Sequence, residues 1–312
     1  MTTTFVALLP VFIVILLGWG LRRFDVIHGG QWQALDRLCY YVLFPAIIFK
    51  EIASADFSNV PVLGMAGAMM LALFAMFALL LVTHRPLMQG MAINGPQFTS
   101  LFQGATRWHT FIAFAIIPLS FGPKALSLGA VSAATMTPVL NIVCVIVMSR
   151  FAHETRLDAK TMALSILRNP FVFSSLGGVI WQIFGLPTPA MGVQVLDMVG
   201  RGALGLALLT VGAGLRFGEV ASSWRPLAAA TVLKLLVMPL FMAAGLSLLG
   251  VTGDAFGVAL LCGAVPTGSG AYVLARQMGG DAPMVANILT MQVILAAITI
   301  PLVLALLGAT PH

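Results

Sequence analysis

Apolar runs of about twenty residues, separated by short polar turns, fill the chain from end to end. A helix needs about 20 such residues to cross a bilayer. The pattern predicts ten spans, at roughly 3–21, 33–51, 60–83, 97–121, 125–149, 165–185, 193–215, 226–250, 254–277 and 283–307. The first run, Phe5 to Leu21, has no basic segment before it and is expected to remain as the first span. Two spans are irregular. The fourth carries Arg107, His109 and Pro118; the ninth carries Pro266, Gly268 and Gly270. Proline lacks the N–H, and glycine costs about 1 kcal/mol relative to alanine in a helix. Both spans are therefore expected to break, and a break at membrane depth must be hidden against protein or a water-filled cavity.

Composition narrows the class. Hydrophobic residues make up 60% of the chain and charged residues 8%, against roughly 25% charged in a soluble domain. The expected fold is an all-α polytopic membrane protein. Cys39, Cys144 and Cys262 are widely spaced in apolar runs and read as packed thiols. The net charge of +6 sits in short loops and does not suggest nucleic acid as a partner.

Loop charge sets an expected orientation. With the N-terminus outside, the inner loops and helix ends hold Arg22, Arg23, Arg37, Arg85, Arg150, Arg156, Lys160, Arg168, Arg216, Arg225 and Arg276. The outer ones hold Lys50, Lys124 and Arg201, and Arg107 and Lys234 lie within spans. The bias predicts both termini outside. The polar stretch from Ser149 to Arg168 reads as a topology determinant that contacts anionic lipid headgroups.

Weak internal repetition adds symmetry. Gln33 to Asp36 is echoed by Gln194 to Asp197, Gly18 and Phe24 by Gly178 and Phe184, and Phe121-Gly122 by Met278-Gly279. The expected organisation is a first five-helix repeat at 1–150, a cytoplasmic linker at 151–164 and a second, inverted repeat at 165–312. An odd number of spans per unit turns the second unit upside down, the plan of many secondary transporters. The breaks in spans four and nine then become a pair of crossover helices with Gly104, Pro118, Pro266, Gly268 and Gly270 as hinge positions. The alternative for these residues is a kink with tight packing.

The candidate chemistry gathers at that pair. Each helix restarting after a break would present N–H groups and a partial positive charge of about half an electron to an anion. Arg107 inside a span costs at least ~2.5 kcal/mol, so it should face a cavity or a partner. Its fork suits a carboxylate, although a structural ion pair or a snorkel to the inner face is equally open. His109 is a candidate proton carrier or a packing histidine. Thr110, Thr267 and Ser269 are candidate ligands for substrate oxygens, or bond to their own helices. Asn141, Asn287 and Gln292 either line the cavity or join helices. Lys234 is a candidate coupling charge, a stand-in for a bound cation, or structural. Asp36 and Asp197 are expected to cap helix N-termini, with a loop contact or an ion site as the alternative. No phosphate loop, HExxH motif or Cys/His cluster occurs, and Gly268-Ser269-Gly270 is not a GxSxG elbow, so neither enzyme activity nor a cofactor or metal is expected.

These motifs resemble those of the auxin efflux carrier family, which includes bacterial malonate and malate permeases and plant auxin exporters. The resemblance rests on Pro266 to Gln277 with Gly279, on Lys234 to Pro239, and on Arg107 to Gly122. It implies ten spans in two inverted repeats, broken helices four and nine, a scaffold part, and a transport part that moves as an elevator. Many bacterial relatives read Arg-Asn-Asn-Gly where this chain has Arg107-Trp108-His109-Thr110, and place proline where it has Ala115. In the plant carriers an Asn of that run is thought to contact the substrate carboxylate.

The expected function is secondary transport of small organic anions, mono- or dicarboxylates such as malonate or malate, across a bacterial inner membrane. A proton or sodium ion is the candidate coupling ion, and a homodimer is a candidate assembly. The alternatives are a sodium-coupled bile-acid-type symporter and a non-transporting membrane receptor or scaffold.

Overall fold

The structure, a computed structural model, describes residues 2–54, 62–152, 170–215 and 224–309. Beyond Ala152 the expected linker lies outside these residues, as do Arg156, Lys160, Arg168 and Arg216. The described residues are helical, with no strand among them.

In order they form α1 (Thr2–Arg23), α2 (Gly29–Leu38), α3 (Phe44–Ala53), α4 (Val62–Val82), α5 (His84–Met91), α6 (Gly95–Thr106), α7 (Thr110–Phe121) and α8 (Leu126–Phe151). There follow α9 (Pro170–Ile183), α10 (Ala190–Arg201), α11 (Ala203–Gly214), α12 (Trp224–Val232), α13 (Met238–Leu248), α14 (Gly253–Ala264), α15 (Gly270–Gln277) and α16 (Ala282–Leu306). Among the described residues, five continuous helical rods are long and apolar enough to cross a membrane, Val62–Val82, Pro123–Phe151, Ala190–Gly214, Trp224–Leu248 and Ala282–Leu306.

The fourth and ninth expected spans are each two short helices, because the chain unwinds inside them. The second contains a π-helical turn, Cys39–Leu43, and the eighth another, Leu233–Val237. Each lies just before a proline, Pro45 or Pro239. Proline cannot donate to the carbonyl four residues back. The wider turn moves the preceding bond one residue further, Phe44 N–H to Cys39 O and Met238 N–H to Leu233 O. The polar stretch from His84 to Pro96 contains α5, which the apolar-run reading leaves as loop; Ala92 closes it in the left-handed conformation at φ 53°. Leu87, Met88 and Met91 of α5 pack on the core.

Helix contacts tie the two halves together. α1 lies along α11, so close that a side chain at Gly18 would meet the carbonyl of Leu209 and one at Gly212 that of Ile15. Arg22 Nη1 donates to Ala213 O at 2.7 Å, which puts the C-terminal ends of both helices side by side. α9 packs on α3, and α4 on α13. Lys50 near the end of α3 meets Asp197 of α10 at 2.8 Å. The Ser100 hydroxyl donates to Asp281 O at 2.9 Å, bringing together the starts of α6 and α16. At the other end, the Phe121 ring fills the place of a side chain at Gly257, where α7 ends beside the start of α14.

Two expectations about carboxylates fail. Asp36 sits in the last turns of α2, whose N-cap is His28 with Gln31 closing the capping box. Asp197 likewise lies inside α10, where it binds Lys50 and Arg201 Nη2, the latter at 2.6 Å. The helices start earlier than the apolar pattern suggests, so neither carboxylate reaches a terminal N–H. Pro118 also lies within the continuous helix α7; the break comes earlier, at Arg107 to His109.

Candidate functional site

The two breaks face each other. α6 ends as Arg107 turns extended (φ −69°, ψ 156°), and α14 ends as Val265 does the same (φ −66°, ψ 153°). A Cβ at Gly268 would stand 2.7 Å from Trp108 O, so the unwound strands meet backbone to backbone, and only glycine permits the approach. Gly104 plays a different part: it sits inside α6, where its missing side chain admits Ile288 and Ala230.

Unwinding frees carbonyls from the helix ladder, and named donors meet several carbonyls around the crossing. Gln103 O accepts from the Arg107 N–H at 2.9 Å and from the Thr267 hydroxyl at 3.2 Å. Gln292 donates through Nε2 to Gly104 O at 2.9 Å and to Ala230 O at 3.2 Å, and its Oε1 accepts from the Thr267 N–H at 2.8 Å. Lys234, fully buried in the second π-helical turn, donates to Gly263 O at 3.0 Å. Its ammonium stands at the negative end of α14, where a cation is favoured. Thr267, Gln292 and Lys234 thus hold the crossing together, and none of them lines the adjoining cavity.

That cavity has a volume of about 510 Å³, within the ~300–1,000 Å³ range of small-molecule sites. Arg107, His109, Thr110, Ser269, Gly268 and Gly270 line it from the two breaks, and Thr137 and Asn141 from α8. α2 and the π-helical turn after it contribute Gln33, Asp36, Arg37, Tyr40 and Tyr41. Arg107 Nη2 donates to Asn141 Oδ1 at 3.2 Å, and its Nη1 lies 3.4 Å from where a Cβ of Gly270 would be. The guanidinium therefore stands at the N-terminal end of α15. Arg107 Nε, His109 Nε2 and Thr137 Oγ1 are buried without a hydrogen-bond partner in the protein. Buried polar groups in folded proteins almost always find one, so these three atoms mark where polar atoms of a ligand would be bound.

Of the residues singled out in the sequence, the structure brings Arg107, His109, Thr110, Asn141, Ser269, Gly268 and Gly270 to one cavity. It places Thr267, Lys234, Pro266, Pro118 and Asn287 outside the cavity lining. The polar lining residues that the sequence reading did not place at a cavity are Gln33, Asp36, Arg37, Tyr40, Tyr41 and Thr137. A threonine in a long helix carries no signal until a neighbouring element shows which face is open.

Among the described residues, apolar membrane-length helices and two interrupted helices crossing beside a polar cavity have the arrangement found in membrane transporters. Comparison with known proteins narrows it. The family described as membrane transport protein matches residues 153–304. An uncharacterized transporter of Methanothermobacter thermautotrophicus is 26% identical over 301 residues, covering 94% of this chain and 95% of its own. The probable auxin efflux carrier component 1b of Oryza sativa subsp. japonica is 29% identical over 129 residues, 39% of this chain and 23% of that carrier. Component 5c of the same plant is 27% identical over 125 residues, 38% of this chain and 34% of that carrier. The chain is thus similar to membrane transport proteins over residues 153–304, and to an uncharacterized transporter and auxin efflux carriers at 26–29% identity.

Proposed function

We propose that the protein is a secondary transporter of small organic anions, mono- or dicarboxylates of the malonate and malate type, in a bacterial inner membrane. The observation that carries this reading is the convergence of the Arg107 guanidinium, Asn141 and the α15 N-terminus on a cavity with three unpartnered polar atoms. The guanidinium offers a fork to a carboxylate, and the N–H groups at the starts of α7 and α15 add a partial positive charge. Thr110 and Ser269 stand where substrate oxygens would be held.

Ten spans in two inverted repeats, 1–150 and 165–312 around a linker at 151–164, form the frame of this reading. Its support is an exchange symmetry in the packing. α1 of the first unit lies on α11 of the second, and α9 of the second on α3 of the first. Likewise α6 meets α16 while α14 meets α8, and α1 meets α16 while α9 meets α8. The orientation read from loop charge is supported by helix ends assigned to one side of the membrane that meet each other, as at Arg22–Ala213 and Lys50–Asp197. Loop charge then puts both termini outside. In an elevator motion, the crossing helices would carry the cavity past the unit built on α1 and α11.

The test is uptake of carboxylates into proteoliposomes, with proton and sodium gradients set independently. Arg107→Ala is expected to insert normally and to lose at least 90% of uptake, about a tenfold or ~1.4 kcal/mol effect. Unchanged uptake by this variant would remove the anion site. Uptake that appears only with a sodium gradient would favour a bile-acid-type symporter, and no flux of any carboxylate would favour a receptor or scaffold.

A further inference from the structure

An anion cavity should repay its builder with positive charge and neutral donors, yet one wall of this cavity carries a carboxylate. Asp36 lines it together with Arg37 and Tyr40, opposite the crossing helices that supply Arg107 and His109. No basic side chain neutralises it: the ion pairs among the described residues are His28–Asp25, Lys50–Glu51, Lys50–Asp197 and Arg201–Asp197. Its hydrogen-bond partner is the Thr210 hydroxyl of α11, and that bond is long, 3.4 Å. The helix gives Asp36 no other task, because His28 and Gln31 already cap α2.

Tyr40, one turn further along, lies in electrostatic range of both Asp36 and Arg107. The two charges therefore share one chamber. Across it, His109 is 2% exposed and its Nε2 has no protein partner, so the chamber is built for a polar occupant. A simple carboxylate would be attracted by Arg107 and repelled by Asp36. An occupant with a positive charge as well as a carboxylate satisfies both.

We propose that Asp36 binds a positive charge that travels with the carboxylate. That charge is an ammonium group on the substrate, or a monovalent cation, sodium, potassium or a proton, bound beside it. In either form the carboxylate group goes to Arg107 and the cationic group to Asp36, with the Tyr40 and Tyr41 rings beside it as faces a cation can approach. Arg37 from its own helix, Cys39, Tyr40 and Tyr41 from the π-helical turn after it, and Arg107 and His109 from the crossing are the charged or titratable groups around this carboxylate. The inference rests on the anion-transport reading.

Proteoliposomes separate the possibilities with a pair of probes that differ by one ammonium group, succinate and aspartate, each with sodium, potassium and proton gradients imposed in turn. The expected wild-type result is either at least tenfold faster uptake of aspartate or succinate uptake that needs one of the cations. In the first case the charge is the substrate's own; in the second it is a separate ion. Asp36→Asn is expected to abolish that preference or that requirement. Thr210→Val keeps the carboxylate, controls for the lost hydrogen bond, and should retain wild-type behaviour. Equal uptake of both probes without any cation requirement overturns the inference, as does an Asp36→Asn protein with wild-type selectivity. If either occurs while uptake still depends on Arg107, the anion site survives and only the role of Asp36 falls. Absence of any carboxylate flux overturns both.

Discussion

Gln292 closes three backbone groups with one side chain, at Gly104, Ala230 and Thr267. Gln292→Leu keeps the bulk and leaves those groups buried without partners, at about 1–3 kcal/mol each. We expect a clear fall in melting temperature in detergent and a loss of transport, measured on the same preparation. Lys234 behaves differently. One carbonyl bond offsets little of the cost of burying an ammonium, and replacing a buried charge by an apolar group of similar volume is often neutral or stabilising. Lys234→Met should therefore match or exceed the wild-type melting temperature, whereas Lys234→Ala, which leaves a cavity, should fall below it. Thermal unfolding of the two variants side by side checks both signs. Arg107, His109 and Lys234 were legible in the sequence because each interrupts an apolar run. Their division was not: whether a polar side chain faces a cavity or a helix end depends on a neighbour more than a hundred residues away, as Gln292 and Gly104 show.

Among the elements, the pair α1 and α11 is the most tightly fitted. The carbonyl of Ile15 occupies the place of a side chain at Gly212. Gly212→Val would force the helices apart along their length, since a backbone atom cannot step aside as a flexible side chain can. Loss of a monodisperse peak in size-exclusion chromatography is the expected outcome, with Gly205→Val, which has open space around it, as the tolerant control. The breaks in spans four and nine were legible from Arg107, His109, Pro266, Gly268 and Gly270. The first falls at Arg107 to His109, within the expected run from Gly104 to Phe111, whereas Pro118, also expected as a hinge position, lies inside α7, because a proline tolerated inside a helix looks in sequence like one that ends it. The π-helical turns before Pro45 and Pro239 left only the prolines as a trace.

For the whole molecule, the question is which helix ends share a side of the membrane. The native cysteines Cys39, Cys144 and Cys262 are all buried, so a single introduced cysteine reports its own location. With both termini outside, Lys124→Cys should react with an impermeant maleimide added to intact cells, and Gln89→Cys only after the membrane is opened. The reverse pattern would invert the topology. The exchange of partners between the halves, α1 with α11 and α9 with α3, is the packing expected if neither half folds around a complete core of its own. Each half expressed alone should consequently fail to give a stable protein, with co-expression restoring it, as judged by recovery after detergent extraction.

Sequence alone determined that this is a helical membrane protein, where its apolar helices run, and which two of them are interrupted. Those properties come from local chemistry: the length of an apolar run, the missing N–H of proline, and the cost of a charge in lipid. The family resemblance carried by Pro266 to Gln277 and Arg107 to Gly122 was legible for the same reason, since a crossing needs particular residues at particular places. Only the tertiary structure decided which polar groups line the cavity and which satisfy the backbone that the crossing exposes. That division follows from contacts between helices distant in sequence, which no periodicity along the chain encodes. It moved Thr267 and Lys234 from the list of candidate ligands to the frame of the crossing, and Asp36 from a helix cap to the wall of the cavity.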